Sequence, residues 1–173
     1  EGNVISLPVM VMNGASDGPL LFLNANFHGP EIAGSEVIRR LLREEINPEE
    51  LKGGILACLC ANPLALHNGH VYGNPRDDKH LQVPGNPDGS TSERIGNVLW
   101  TQFCQPLIDH PQGGFAIDIH TTGASPPWAI NICSINATYA NEETFKKGMT
   151  FIKAWGWTFH YHEPELEPKS PPT

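Results

Sequence analysis

Apolar and polar positions fall into blocks that alternate between short runs and helical stripes. Val4 to Met12 is largely apolar and predicts a strand, and the cluster from Asn13 to Pro19 predicts a turn. Leu20 to Asn26 is a short apolar run suited to a buried strand. A helix is predicted to begin near Pro30, a residue suited to a first helical position, with Val37, Ile38, Leu41 and Leu42 at helical spacing. Asn47 and Pro48 break it. Gly53 and Gly54 lead into a second buried strand, Ile55 to Ala61.

Residues 62 to 90 are rich in Gly, Pro, Asn and Asp and read as a long loop, a length usually tied to function or disorder. Ser90 and Glu93 fit a capping box, followed by a helix with Ile95, Leu99 and Phe103 on its apolar face. Pro106 is expected to end or bend that helix. Phe115 to His120 predicts a strand, with Phe115, Ile117 and Ile119 on one side and Ala116, Asp118 and His120 on the other. Trp128 to Cys133 predicts another strand, Glu142 to Trp155 a helix, and Trp157 to His162 a last strand. This alternation predicts a single α/β domain over residues 1–173, with a mixed, mostly parallel sheet and helices on both faces.

Composition narrows the function classes. With 173 residues, 39% hydrophobic and 17% charged, the chain reads as one ordinary globular domain. A net charge of -8 argues against nucleic acid as a partner. No run of 18 apolar residues exists, so no membrane helix is expected. Cys58 and Cys60 lie in an apolar run, and Cys104 and Cys133 are isolated. Buried thiols in a reducing, cytoplasmic compartment are expected rather than disulfides or a zinc knuckle. The stretch from Pro164 to Thr173 is Pro-rich and has no closing element, so the domain is expected to be incomplete at its C-terminus.

The chemistry concentrates at two strand ends. His28 and Glu31 offer an imidazole and a carboxylate three residues apart, a combination that divalent zinc accepts. The spacing alone is weak. With 8 His and 19 acidic residues, about one such pair is expected by chance, and His160/Glu163 and His162/Glu165 repeat it. Context separates them: His28 follows a buried strand, Glu31 is placed in the first turn of a helix, and His120 ends another strand. Sites in open α/β sheets gather at such carboxyl ends. From the residues alone, His28 as a hydrogen-bonded loop histidine and Glu31 as a helix N-terminal charge remain open.

A family resemblance selects among these. The segment Asn24 to Glu31, with Ala33 and Gly34, resembles the first metal motif of the succinylglutamate desuccinylase/aspartoacylase family, relatives of the zinc carboxypeptidases. Cys60 to Pro63, Val83 to Ser90 with Ser92 to Ile95, and Asp118 to Thr121 are similar to later family segments, in the same order. The resemblance implies a zinc carboxypeptidase-like fold. It implies one zinc ion per chain on His28, Glu31 and His120, and hydrolysis of a small N-acyl amino acid. Asp118 shares a strand face with His120, so it could support the metal site from behind, or be a plain strand-end carboxylate.

Two departures stand out. The family's Asn and Arg that hold a substrate carboxylate fall where this chain reads Asp77 to Gly85 without Arg; His80 and Gln82 lie nearest the Asn positions, and Arg76, Lys79 or Arg94 are the candidate cations. The family's general-base Glu comes from a later strand. Glu163, Glu165 and Glu167 lie in the Pro-broken tail and read as solvated charges, so the base is expected beyond Thr173. The competing readings are a zinc-binding domain without turnover and a metallocarboxypeptidase acting on peptides.

Overall fold

The structure, a computed structural model, describes residues 4–72, 80–121, 133–136, 142–155 and 160–163. It forms two compact units, Glu1–Ala124 and Ser125–Thr173. The first carries a four-stranded sheet in the order β1-β3-β2-β4, built from Val9–Asn13 (β1), Ser16–Ala25 (β2), Lys52–Cys58 (β3) and Gly114–Ile119 (β4). β2, β3 and β4 are parallel, and β1 closes one edge antiparallel to β3. This is the mixed, mostly parallel sheet expected from the alternation of strands and helices.

The period-2 pattern sorts the core into two layers. Leu23, Ala25, Ile55 and Ala57 pack with Ile38 and Leu42 of the first helical segment. Phe22 and Cys58, from alternate positions, pack with Ile95, Leu99 and Phe103 of the second. Helices therefore cover both faces. Gly34 lets the first helix come close, because a Cβ there would sit 3.0 Å from both Ala25 Cβ and Ile119 Cγ2. Ser35 Oγ donates to Leu59 O at 2.6 Å, tying the same helix to the end of β3.

Several boundaries differ from the sequence reading. Helix α1 is Ala33–Arg40, not a helix from Pro30, so Glu31 precedes it and sits in a turn closed by its own N–H donating to His28 O at 3.2 Å. Leu41–Glu45 continues α1 as a π turn. β3 stops at Cys58, which leaves Cys60 outside the strand. The expected loop after Asn62 contains a short helix, Pro63–Asn68 (α2), with Asn62 accepting from Ala65 N–H, Pro63 at its start and Gly69 left-handed at its end.

Thr91–Leu99 (α3) starts at a complete capping box: Ser90 N–H donates to Glu93 Oε2 at 2.8 Å and Glu93 N–H to Ser90 Oγ at 3.4 Å. Pro106 does not end this helical segment. The backbone widens into a π turn at Trp100–Cys104, Gln105 N–H donating to Trp100 O, and Gln105–Asp109 (α4) follows with the proline in its first turn.

The second unit contains Cys133–Asn136 (β5) and His160–Glu163 (β6), paired in parallel, and helix Glu142–Trp155 (α5) at its expected bounds. The remainder of the two expected strands there, 128–132 and 157–159, lies outside the described residues.

Candidate metal centre

β2 and β4 are neighbours and run parallel, with Asn24 in register with Asp118 and Ala25 with Ile119. Their carboxyl ends therefore release His28 and His120 on the same side of the sheet. Ring centroids of the two histidines are 4.9 Å apart. Glu31 bridges them: Oε1 lies 3.0 Å from His28 Nδ1 and Oε2 lies 2.8 Å from His120 Nδ1. Ligand atoms of all three residues fall within 4.8 Å of one another, and among the described residues no other group of three or more such side chains does so.

Local structure explains the placement. Asn26 is fully buried and has a positive φ of 56°, a conformation that Asn tolerates better than most residues. Its amide donates to His28 O at 2.7 Å and to Gly29 O at 2.9 Å, and its Oδ1 accepts from Cys60 Sγ at 2.9 Å. The amide thus shapes the turn that carries His28. Asn62 N–H donates to Asn26 O at 3.2 Å, so the start of α2 braces the same turn. Behind His120, Asp118 Oδ2 lies 2.8 Å from Nε2, and Asp118 Oδ1 accepts from Asn24 Nδ2 at 2.9 Å. The hydrogen bond to Asp118, with the Asp118 and Glu31 charges beside it, outweighs burial and raises the His120 pKa to about 9.

His80, the sequence candidate for substrate contact, reaches the rim. Its ring lies 5.6 Å from that of His28 and 4.0 Å from that of Tyr72. Arg76 lies outside the described residues. Tyr72, 6.1 Å from the His28 ring, and Phe27, 6.1 Å from the His120 ring, complete an aromatic border. Sequence reading does not single out these two, nor Asn24, Asn26 or Cys60. An Asn flanking a motif histidine is the available signal, and its partners are distant in sequence. Cys58, Cys60 and Cys104 are free thiols, and burial pushes the Cys58 pKa up to about 12. A groove of about 1000 Å³ lies elsewhere, lined by Ile5, Leu56, Ile95 and Phe103 among others, and contains none of the site residues.

The donor set fits zinc. Two neutral imidazoles and one carboxylate are the ligand types of open, catalytic zinc sites with three protein ligands. Asp118 on the far nitrogen of His120 matches the carboxylate–histidine arrangement that orients metal-binding imidazoles.

Residues 17–158 match the succinylglutamate desuccinylase/aspartoacylase catalytic domain. The chain belongs to this family. An aspartoacylase family protein from Mesorhizobium loti superposes with a TM-score of 0.69 at 26% identity, over 91% of this chain and 48% of its own. A succinylglutamate desuccinylase/aspartoacylase from Rhodobacter sphaeroides gives 0.55 at 27% identity, over 69% of this chain and 34% of its own. A metallo-carboxypeptidase from Burkholderia cenocepacia gives 0.62 at 11% identity, over 91% of this chain and 45% of its own, which shows the shared carboxypeptidase-like fold. The chain spans half or less of the length of each of these relatives. No curated protein matches it. No helix among the described residues is long and apolar enough to cross a membrane.

Proton competition gives the site a pH signature. If zinc binds through His120, it must displace the proton that a pKa of about 9 retains at neutral pH. Zinc affinity is then expected to rise about tenfold per pH unit between about pH 6 and 8. A ligand histidine of ordinary pKa would level off above about 6.5. Titration with a competing chelator at several pH values measures the slope, and a plateau above neutrality would show that His120 does not keep its proton to about pH 9.

Proposed function

We propose that this chain carries the zinc-holding part of an amidohydrolase that cleaves an N-acyl amino acid. The observation that carries the reading is the His28–Glu31–His120 cluster, at paired strand ends, in a member of this family. In the proposed reaction a water oxygen adds to the acyl carbon and the C–N bond breaks. The amine leaves with a proton, giving a free amino acid and a carboxylate. Zinc, when bound, supplies an acidified water and polarises the carbonyl.

The chain's own residues then have separable tasks. His28, Glu31 and His120 hold the ion, and Asp118 keeps His120 turned toward it. His80, whose ring lies beside those of Tyr72 and His28, is proposed to donate to the substrate carboxylate. Arg76 is the further cation proposed for that contact. Among the described residues at the site, Glu31 and Asp118 are already engaged with histidines, and the general base is proposed to lie beyond Thr173. A positioned base typically contributes about 10²–10⁴-fold. The departure from the family's Asn and Arg favours a second reading, in which the domain binds an amino-acid-like ligand without turnover.

A panel of acetylated and succinylated amino acids, assayed with the zinc-loaded full-length protein that supplies the proposed base, separates the two. Release of free amino acid that is lost on chelation, restored by zinc and absent in Glu31→Ala supports the hydrolase. Saturable binding of panel members without release supports the second reading, and neither binding nor release would sink both.

A further inference from the structure

Asn24 sits near the carboxyl end of β2, lines a small cavity with Phe22, Phe27 and Leu99, and is only 6% exposed. Its amide makes one hydrogen bond, from Nδ2 to Asp118 Oδ1, while its own Oδ1 is buried with no partner. A buried carbonyl left unpaired is destabilising, and leucine, with the same heavy-atom count and branching, could extend its larger methyls into the small apolar cavity of about 200 Å³ that Asn24 lines, without that penalty. The feature that distinguishes Asn24 from leucine is therefore its grip on Asp118.

That grip has a direction. The Asp118 side chain is 40% exposed and hydrated on one side, so by itself its carboxylate could rotate. Parallel register sets Asn24 directly beside it on the neighbouring strand. With Oδ1 tied to Asn24, Oδ2 remains for His120 Nε2 at 2.8 Å, which leaves His120 Nδ1 facing Glu31. The surroundings of the amide are apolar, and a hydrogen bond to a charged group is stronger there than in water.

We propose that Asn24 is a positioning residue for the metal centre. It locks the Asp118 carboxylate so that His120 presents Nδ1, and not Nε2, to the ion. The metal part of this inference rests on the proposed ligand role of His120; the Asn24–Asp118–His120 chain does not.

The test uses protein labelled with ¹⁵N at histidine, with and without zinc, and follows the His120 Nε2–H resonance, assigned by its loss in His120→Ala. In the wild type this proton is expected to be shielded from exchange with water. In Asn24→Leu it should exchange about tenfold faster or more, and zinc should bind about tenfold more weakly, at the low end of effects for groups behind a metal ligand. The melting temperature should be unchanged or raised, which a merely structural role would not give. Asn24→Ser, which shortens the reach, should accelerate the same exchange. An Nε2–H that exchanges at the wild-type rate in both variants would overturn the proposal, whatever happens to zinc. If His28→Ala and His120→Ala hold zinc as tightly as the wild type, the metal reading fails, and exchange in the zinc-free protein still decides the role of Asn24.

Discussion

His28→Ala and His120→Ala should each weaken zinc binding by roughly 10²–10³-fold. Apparent zinc affinities of structural sites correspond to about 10–16 kcal/mol spread over four ligands, or roughly 2.5–4 kcal/mol for each. The two histidines follow different strands and each pairs with its own oxygen of Glu31, so neither can replace the other. Glu31 is the most enclosed of the three, its side chain 15% exposed against 22% for His28 and 41% for His120. Loss of either imidazole leaves that carboxylate with one partner instead of two. The fold should survive both changes, since neither side chain belongs to the two apolar layers. Elemental analysis after dialysis against a weak chelator, beside a melting curve, reads both outcomes. Full zinc retention by both variants would remove the site from consideration.

Local signals are what the sequence makes legible. The apolar runs of β2 and β3, the Ser90–Glu93 capping box and the bounds of α5 all depend on residues a few positions apart. The mixed sheet follows from those elements in order, and placement at strand ends makes His28, Glu31 and His120 candidates that only the resemblance to the family's ordered motifs selects. The supporting polar groups are not legible in that way. Asn24 meets Asp118 across 94 positions and Cys60 meets Asn26 across 34, so only the register of the sheet brings them together. Helix α2 carries readable signals in Asn62, Pro63 and Gly69, but its six residues are too few for a periodic stripe. The start of α1 shifts for a tertiary reason. Asn26 holds the carbonyls of His28 and Gly29, which fixes a separate turn before the helix can begin.

Gly29→Ala is expected to damage fold and site together. The Gly29 backbone lies directly against the α2 segment, and a Cβ there would collide with the carbonyl oxygens of Ala65 and His70. Both obstacles are backbone atoms, so no side chain can swing aside. Ala65 and His70 are further fixed because Ala65 N–H donates to Asn62 Oδ1 at 3.1 Å and His70 N–H to Ala65 O at 3.0 Å. Overpacking usually destabilises by about 1–3 kcal/mol, and a clash with immobile atoms belongs at the upper end, about 3 kcal/mol. For a chain of this size that corresponds to a fall in melting temperature of roughly 10 °C. The relief route is movement of the turn itself, which displaces His28 and Glu31 on either side and should weaken zinc binding as well. Gly69→Ala supplies the contrast. Gly69 has a φ of +60°, but a methyl carbon added there would meet nothing within 4 Å, so only conformational strain of about 1 kcal/mol is expected, with zinc affinity intact. Thermal melts and chelator titrations of the two variants side by side test the argument. Equal, small losses in both would show that the close approach of the His28–Glu31 turn to α2 does not constrain the site.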